Sequence, residues 1–250
     1  SVLYKSILKE SPYFGLSVFI LFNIFLLPYV FNGMMQAVSA SFLLYSTRYF
    51  HEKKILRVIL ITFVASSFHL VGIFIILSYF IYNIKIKKLI YLYIFIIALF
   101  ISQLNVFEYL FNQYGSMVFP DTIIHRIGLY LNVFDEPINF QRIAQRSLLF
   151  FLFYFHFNKL KTLEKFNGMF NIYFMGLIIY LVLSFTELYA SRLNMFFRFY
   201  EILLIPMVFL VIRPRQRLFY FVFFILWGIL ILSSNFSKEA YYPFKTWLLQ

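Results

Sequence analysis

Four arginines, Arg142, Arg146, Arg192 and Arg198, lie in or beside strongly apolar stretches of the chain. Arg142 and Arg146 are four residues apart and share a face if their segment is helical. Two guanidinium groups on one face repel unless carboxylates pair them or an anion lies between them. Asp135 and Glu136 are close enough in sequence to offer the first solution. A phosphate or pyrophosphate gripped by the planar guanidinium forks offers the second. Arg198 and Glu201 are three apart and can pair, with Asn194 on the same face, but that pairing does not account for Arg192. Glu187 stands at the same apolar boundary. Charges at a membrane boundary are costly and usually paired, which makes them functional candidates by default. His69 ends the run Ser66-Ser67-Phe68-His69 and has no acidic neighbour in sequence. It is either a proton-transfer or sugar-binding group, or a packed histidine bound to the backbone.

Other chemistries find no support. The remaining histidines, His51, His125 and His156, are scattered, and none of the four falls in a ligand-spaced set. There is no phosphate-binding glycine loop of the Walker type and no GxSxG serine elbow. There is no cysteine, which excludes disulfides and thiolate chemistry. No stretch resembles a soluble domain with paired aspartates for a nucleotide-sugar metal. The sequence therefore implies neither a metal nor a cofactor.

The elements that position these residues follow from composition. Of 250 residues, 62% are hydrophobic and only 13% charged, and mean hydropathy is +0.82. Soluble domains run near about 45–50% apolar and about 25% charged, so the class is an all-α, polytopic integral membrane protein. The net charge of +12 does not imply nucleic acid, because the charges form short knots between apolar runs. Those runs fall at about 13–31, 35–50, 55–82, 89–111, 143–158, 168–190, 196–212 and 218–234, giving eight to nine membrane segments in a single membrane domain, 1–250. Basic knots at Lys5/Lys9, Arg48–Arg57, Lys85–Lys88, Lys159–Lys165 and Arg213–Arg217 mark the cytoplasmic side. Keeping both Arg48–Arg57 and Lys85–Lys88 inside requires 55–82 to dip out and return as a short re-entrant hairpin, turning at Ser66–His69. A single long tilted helix is the alternative. Of the 22 Lys and Arg, only Arg126, Arg142, Arg146, Arg192, Arg198, Lys238 and Lys245 then fall on the outer side. The chain begins without a start methionine or signal peptide, so further N-terminal spans are expected.

One long external loop, 112–141, contains IIHRIGLYLNVF, which could form a short helix on the membrane with His125 and Arg126 turned away from its apolar face. At the start of the second apolar run, Asn32 and Gln36 are four apart, with Ser39 near the same face. They either bind sugar or phosphate at the external mouth, or cap and pack the helix.

NGMMQAVSASFLLYSTRYFHEKK, followed by ILITFVASSFHLVGIFII, resembles the EpsG/Wzy-type polysaccharide polymerases. The family pattern opens a span with an Asn-x-x-Arg-Gln-like stretch, then has a basic knot and an Ala-Ser-x-Phe-His-like stretch. Asn32, Gln36, Ser39 or Ala40, and Phe68-His69 match it, while Met35 stands where the family has arginine. SRLNMFFRFYEILLIP and YYPFK resemble later family segments through Arg192, Arg198, Pro206 and Pro243.

The resemblance implies a membrane glycosyltransferase on the outer side of the bacterial cytoplasmic membrane. It would join undecaprenyl-pyrophosphate-linked repeat units into O-antigen, capsule or exopolysaccharide, without metal. Its partners would be those lipid-linked glycans, membrane lipids, and a flippase and chain-length regulator of the same pathway. For that reaction the nominated catalytic residues are His69, which the resemblance includes, and Glu187, read from its place at the apolar boundary, with Glu108 and Glu201 as other carboxylates. The nominated substrate-binding residues are Asn32, Gln36, Arg192 and Arg198, which the resemblance includes, and His125, Arg126, Arg142 and Arg146, read from their place on the outer side. A flippase for lipid-linked glycans and a membrane O-acyltransferase are the alternatives.

Overall fold

A computed structural model describes residues 2–31, 33–104 and 140–236, with isolated positions at 106, 109, 110, 113, 114, 117 and 138. The described residues contain helices and turns and no strand. His125, Arg126, Asp135, Glu136 and Asn32, and with the first four most of the 112–141 loop, lie outside them. The helices are α1 (Val2–Glu10), α2 (Phe14–Ile20) with a π-helical continuation Leu21–Phe31, α3 (Met34–His51), α4 (Ile55–Phe68), a 3-10 turn Leu70–Ile73, and α5 (Phe74–Tyr82). They continue with α6 (Lys88–Gln103), α7 (Phe140–Leu160), α8 (Phe166–Val182), α9 (Glu187–Arg198), α10 (Glu201–Val211) and α11 (Pro214–Phe236). The chain forms two compact units, one of 1–79 with 199–250 and one of 80–198.

In the first unit the run 55–82 is not one long helix. α4 ends at Phe68, His69 takes an extended conformation, and the 3-10 turn reverses the chain. Phe68 stacks on Phe42, midway along α3, at 6.0 Å between ring centroids, while Tyr79 on α5 meets Phe50 at the basic end of α3, also at 6.0 Å. The segment therefore leaves the basic end of α3 and comes back to it. Gly72 permits the reversal: a Cβ there would lie 2.6 Å from the backbone C of Ala65 and the N of Ser66. At the other end of α4, Lys53 has a φ of 54° in the tight turn from α3, and Lys54 binds Glu52 at 2.6 Å. That bond holds the Glu52 carboxyl below its ordinary value.

The centre of the first unit is α10, buried from Glu201 through Phe209 although it contains Pro206. Proline has no N–H, so the carbonyl four residues earlier, that of Ile202, loses its helical donor. Ser17 on α2, itself fully buried, donates its hydroxyl to the Ile202 carbonyl at 2.6 Å. Thus the helix passes through its proline because another helix supplies the missing bond. Thr47 on α3 and Tyr200, just before α10, share a hydrogen bond of 2.9 Å.

The second unit is built on phenylalanine. Phe95 of α6 stacks on Phe150 of α7 at 4.5 Å, and Phe153, Phe157, Phe166 and Phe170 complete an interior with few polar atoms. Its direction is fixed by polar contacts at both ends. Tyr91, near the start of α6, donates to Asn171, near the start of α8, and packs on Phe157 near the end of α7. The Asn171 amide caps the carbonyls of Ile81 and Ile84 at 2.9 and 2.8 Å. Ser102 at the end of α6 bonds Ser184, just after α8, at 2.6 Å. α6 and α8 are therefore parallel, with α7 antiparallel between their ends. Lys85–Lys88 and Lys159–Lys165 therefore lie at the same end of this unit, and Arg142, Arg146 and Glu187 at the other.

The boundaries differ most from the sequence-based ones between 168 and 212. The expected span 168–190 ends at Val182, and a new helix starts at Glu187, so Arg192 is helical rather than in a connection. Glu187 in the first turn and Arg198 in the last suit the helix dipole, and the interruption falls at Phe199–Tyr200. Length also bears on the spans. By itself, Pro214–Ser233 is long and apolar enough to cross a membrane, and Ala190–Arg198 with Glu201–Val211 qualifies as a broken pair. α4, α6 and α8, at 14, 16 and 17 residues, are short of the roughly 20 needed for a straight crossing.

Candidate functional site

The structure divides the nominated residues between the two units. In the first, it brings together the two stretches that carry the family resemblance. Gln36 lies in the first turn of α3 and is buried, and Ser39 one turn on is fully buried with an Oγ that has no hydrogen-bond partner. The Phe42–Phe68 stack sets the tip of the hairpin beside this half of α3, and α3 also touches the 3-10 turn. At the tip, His69 Nδ1 accepts from the Val71 N–H at 3.2 Å. The ring's neutral form then carries its proton on Nε2. Ser66, in the last turn of α4, has a second buried hydroxyl without a partner. Met35, at the family's arginine position, is exposed.

In the second unit, the nominated arginines have different surroundings. Arg142 pairs with Glu187 across α7 and α9, each about one-third exposed. Of the two solutions raised by the Arg142–Arg146 spacing, the structure thus adopts a carboxylate for Arg142, from α9. Arg146 has its guanidinium 5.2 Å from the Tyr180 ring centroid. Its Nη1 is buried without a hydrogen-bond partner, and the same holds for the Tyr180 hydroxyl. Asn194 is 1% exposed, and its Oδ1 also lacks a partner. That oxygen would lie 3.1 Å from a Cβ on Gly176, one helical turn before Tyr180. Arg192 is exposed on α9, and Arg198 is buried at its end.

Buried polar atoms without partners are rare in folded proteins and call for an explanation. Arg146 supplies N–H donors, Tyr180 a hydroxyl donor, and Asn194 an amide that can accept or, turned over, donate. Phosphate oxygens and sugar hydroxyls are ligands of matching type. Tyr180 was not distinguishable in sequence, because it sits in an unbroken apolar run. Asn194 was visible only as a neighbour of Arg198. No group of three His, Asp or Glu with metal-ligand proximity occurs among the described residues.

The described residues are helices and turns of an apolar chain, with basic turns at one end of the second unit and Arg142 and Arg146 at the other. The sequence model of the EpsG family matches residues 1–246, and the chain belongs to that family. This is a membrane protein family, and membership suggests a polysaccharide-polymerase type of function. No curated protein and no solved structure matches the chain.

Proposed function

We propose that this protein is a membrane glycosyltransferase that polymerises undecaprenyl-pyrophosphate-linked oligosaccharide repeat units into a surface polysaccharide. It works from the outer face of the bacterial cytoplasmic membrane with eight or nine membrane segments, several of them short. The observation that carries the reading is the set of unpartnered donors on Arg146 and Tyr180, at the end of the second unit opposite its basic turns.

In this reaction an acceptor hydroxyl of the incoming unit forms a bond to the anomeric carbon of the growing chain. The bond from that carbon to pyrophosphate oxygen breaks, and undecaprenyl pyrophosphate leaves. Arg146, with Arg142, Arg192 and Arg198 as further guanidinium groups, stabilises the negative charge gathering on the leaving group. The hydroxyl proton passes to a general base, for which His69 and Glu187 are the two nominees. Glu187 is held by Arg142 in the structure. A pyrophosphate that draws Arg142 to itself releases the Glu187 carboxylate, coupling binding of the leaving group to the supply of a base. Gln36, Asn32, His125 and Arg126 are the further proposed substrate-binding residues.

The test is a deletion strain with flipping intact. Single lipid-linked repeat units accumulating at the outer face, cleared by the wild-type chain, support the proposal. Accumulation on the cytosolic face indicates a flippase, and normal polymer lacking only acetyl groups indicates an acyltransferase. Both would overturn it.

A further inference from the structure

The turn between α3 and α4 holds a second arginine cluster, which the proposed reaction does not use. The Arg48 guanidinium lies 4.1 Å from the Tyr45 ring centroid and 4.4 Å from that of Tyr49. Its Nη2 donates to both tyrosine hydroxyls. The two hydroxyls also hydrogen-bond each other, Tyr45 donating to Tyr49, so the Tyr49 proton is the one left to donate. Arg48 Nε is buried and has no hydrogen-bond partner. Arg57, in the first turn of α4, lies 5.4 Å from the centroid of the same Tyr49 ring, so two guanidinium groups meet at one aromatic ring. The carboxylate in this turn, Glu52, is bound to Lys54 at 2.6 Å, and Arg57 and Lys9 act on it at longer range. Two cations that share a ring, with donors left over, fit an oxygen-rich anion between them.

The helix above the cluster indicates what carries that anion. Leu56, Leu60 and Phe63 on α4 are 76%, 67% and 79% exposed. They recur at helical spacing and form one apolar face. Leu60 is one turn beyond Arg57, so the face rises directly from the guanidinium. Inorganic phosphate would fill the charged part and leave this face uncovered, whereas a lipid fills both. We propose that Arg48, Arg57, Tyr45 and Tyr49 bind the phosphate of an anionic phospholipid whose acyl chains lie along Leu56, Leu60 and Phe63. This site is independent of the polymerisation reading and stands at the basic end of α3, away from the hairpin tip.

Native mass spectrometry of the full chain, released from bilayers of phosphatidylglycerol and phosphatidylcholine, measures which lipid is retained. Preferential retention of phosphatidylglycerol is expected. Arg57→Gln should weaken it about fivefold, and Arg48→Gln with Arg57→Gln about thirtyfold, with phosphatidylcholine unaffected. Arg57 is exposed, so its single variant keeps the test decisive if the double variant fails to accumulate. Unchanged phosphatidylglycerol retention in Arg57→Gln would overturn the proposal. So would displacement of the lipid by an equal concentration of inorganic phosphate, which would mark a simple anion site. Lys161→Gln, in a different basic turn, should leave retention unchanged. A loss equal to that of Arg57→Gln would reduce the effect to overall charge and also overturn the site.

Discussion

At the scale of single residues, the decisive group is Arg146. Arg146→Lys keeps a positive charge but loses the planar fork and much of the contact with Tyr180. Removing one donor that stabilises developing charge typically costs on the order of 10²–10³ in rate. Polymer yield in a complemented deletion strain should fall by about that factor with membrane protein level unchanged, and normal yield would remove Arg146 from the site. His69 calls for a different substitution. Its Nδ1 caps the 3-10 turn, and asparagine is a good residue for that duty, so His69→Asn keeps the cap and removes the titratable ring. If the ring carries the hydroxyl proton, yield drops by about 10² or more; unchanged yield assigns His69 to capping alone. The arginines and His69 were legible in sequence because an apolar background makes each charge conspicuous. The partners were not: Glu187 for Arg142 and Tyr180 for Arg146 come from separate helices, and no spacing rule connects them.

At the scale of elements, the two informative features are the hairpin and the helix that passes through Pro206. The reversal between α4 and α5 was legible because two basic knots flank one apolar run, and the positive-inside rule favours placing them on the same side. The start of α9 at Glu187 was not drawn from the sequence, since the expected span 168–190 ran on past the polar interruption at Ser184, Thr186 and Glu187. Pro206 was recognisable as a disturbance, yet the compensation by Ser17 was invisible, because 185 residues separate Ser17 from the Ile202 carbonyl. That compensation is testable. Ser17→Ala leaves a buried carbonyl unsatisfied and should cost about 1–3 kcal/mol, read as a lower unfolding midpoint in detergent. Pro206→Ala restores the N–H that the Ile202 carbonyl lacks, so adding it to Ser17→Ala should recover most of the loss. Strictly additive effects would show that Ser17 and Pro206 do not communicate through that carbonyl. Gly72→Ala is the matching probe of the hairpin. Its Cβ would press on backbone atoms that cannot rotate away, so the variant should lose about 1–3 kcal/mol and polymerising activity together.

At the scale of the whole molecule, charge and helix length make different demands. Charge asks for many crossings, whereas several helices are only about 20–25 Å long at 1.5 Å per residue, against a hydrocarbon core of about 30 Å. Short helices at membrane depth are tolerated where protein or water covers their ends; α4 ends at the hairpin tip beside Ser66 and His69, and Tyr180 lies in the last turn of α8. This makes topology the most consequential measurement. Within the second unit, Lys161 lies in the turn between α7 and α8, and Gln141 lies in the first turn of α7, at opposite ends of one helix. Both positions are exposed. Single cysteines there, on a chain that has none of its own, can be labelled with an impermeant maleimide in cells whose outer barrier is opened. Gln141→Cys should label before lysis and Lys161→Cys only after it. Lys53→Cys and Lys85→Cys should both behave like Lys161→Cys, because the hairpin returns the chain to the side it left. If Lys85→Cys labels early while Lys53→Cys stays protected, α4 and α5 cross in one pass and every later loop inverts. Arg142 and Arg146 would then face the cytoplasm, away from the lipid-linked chain they are proposed to hold.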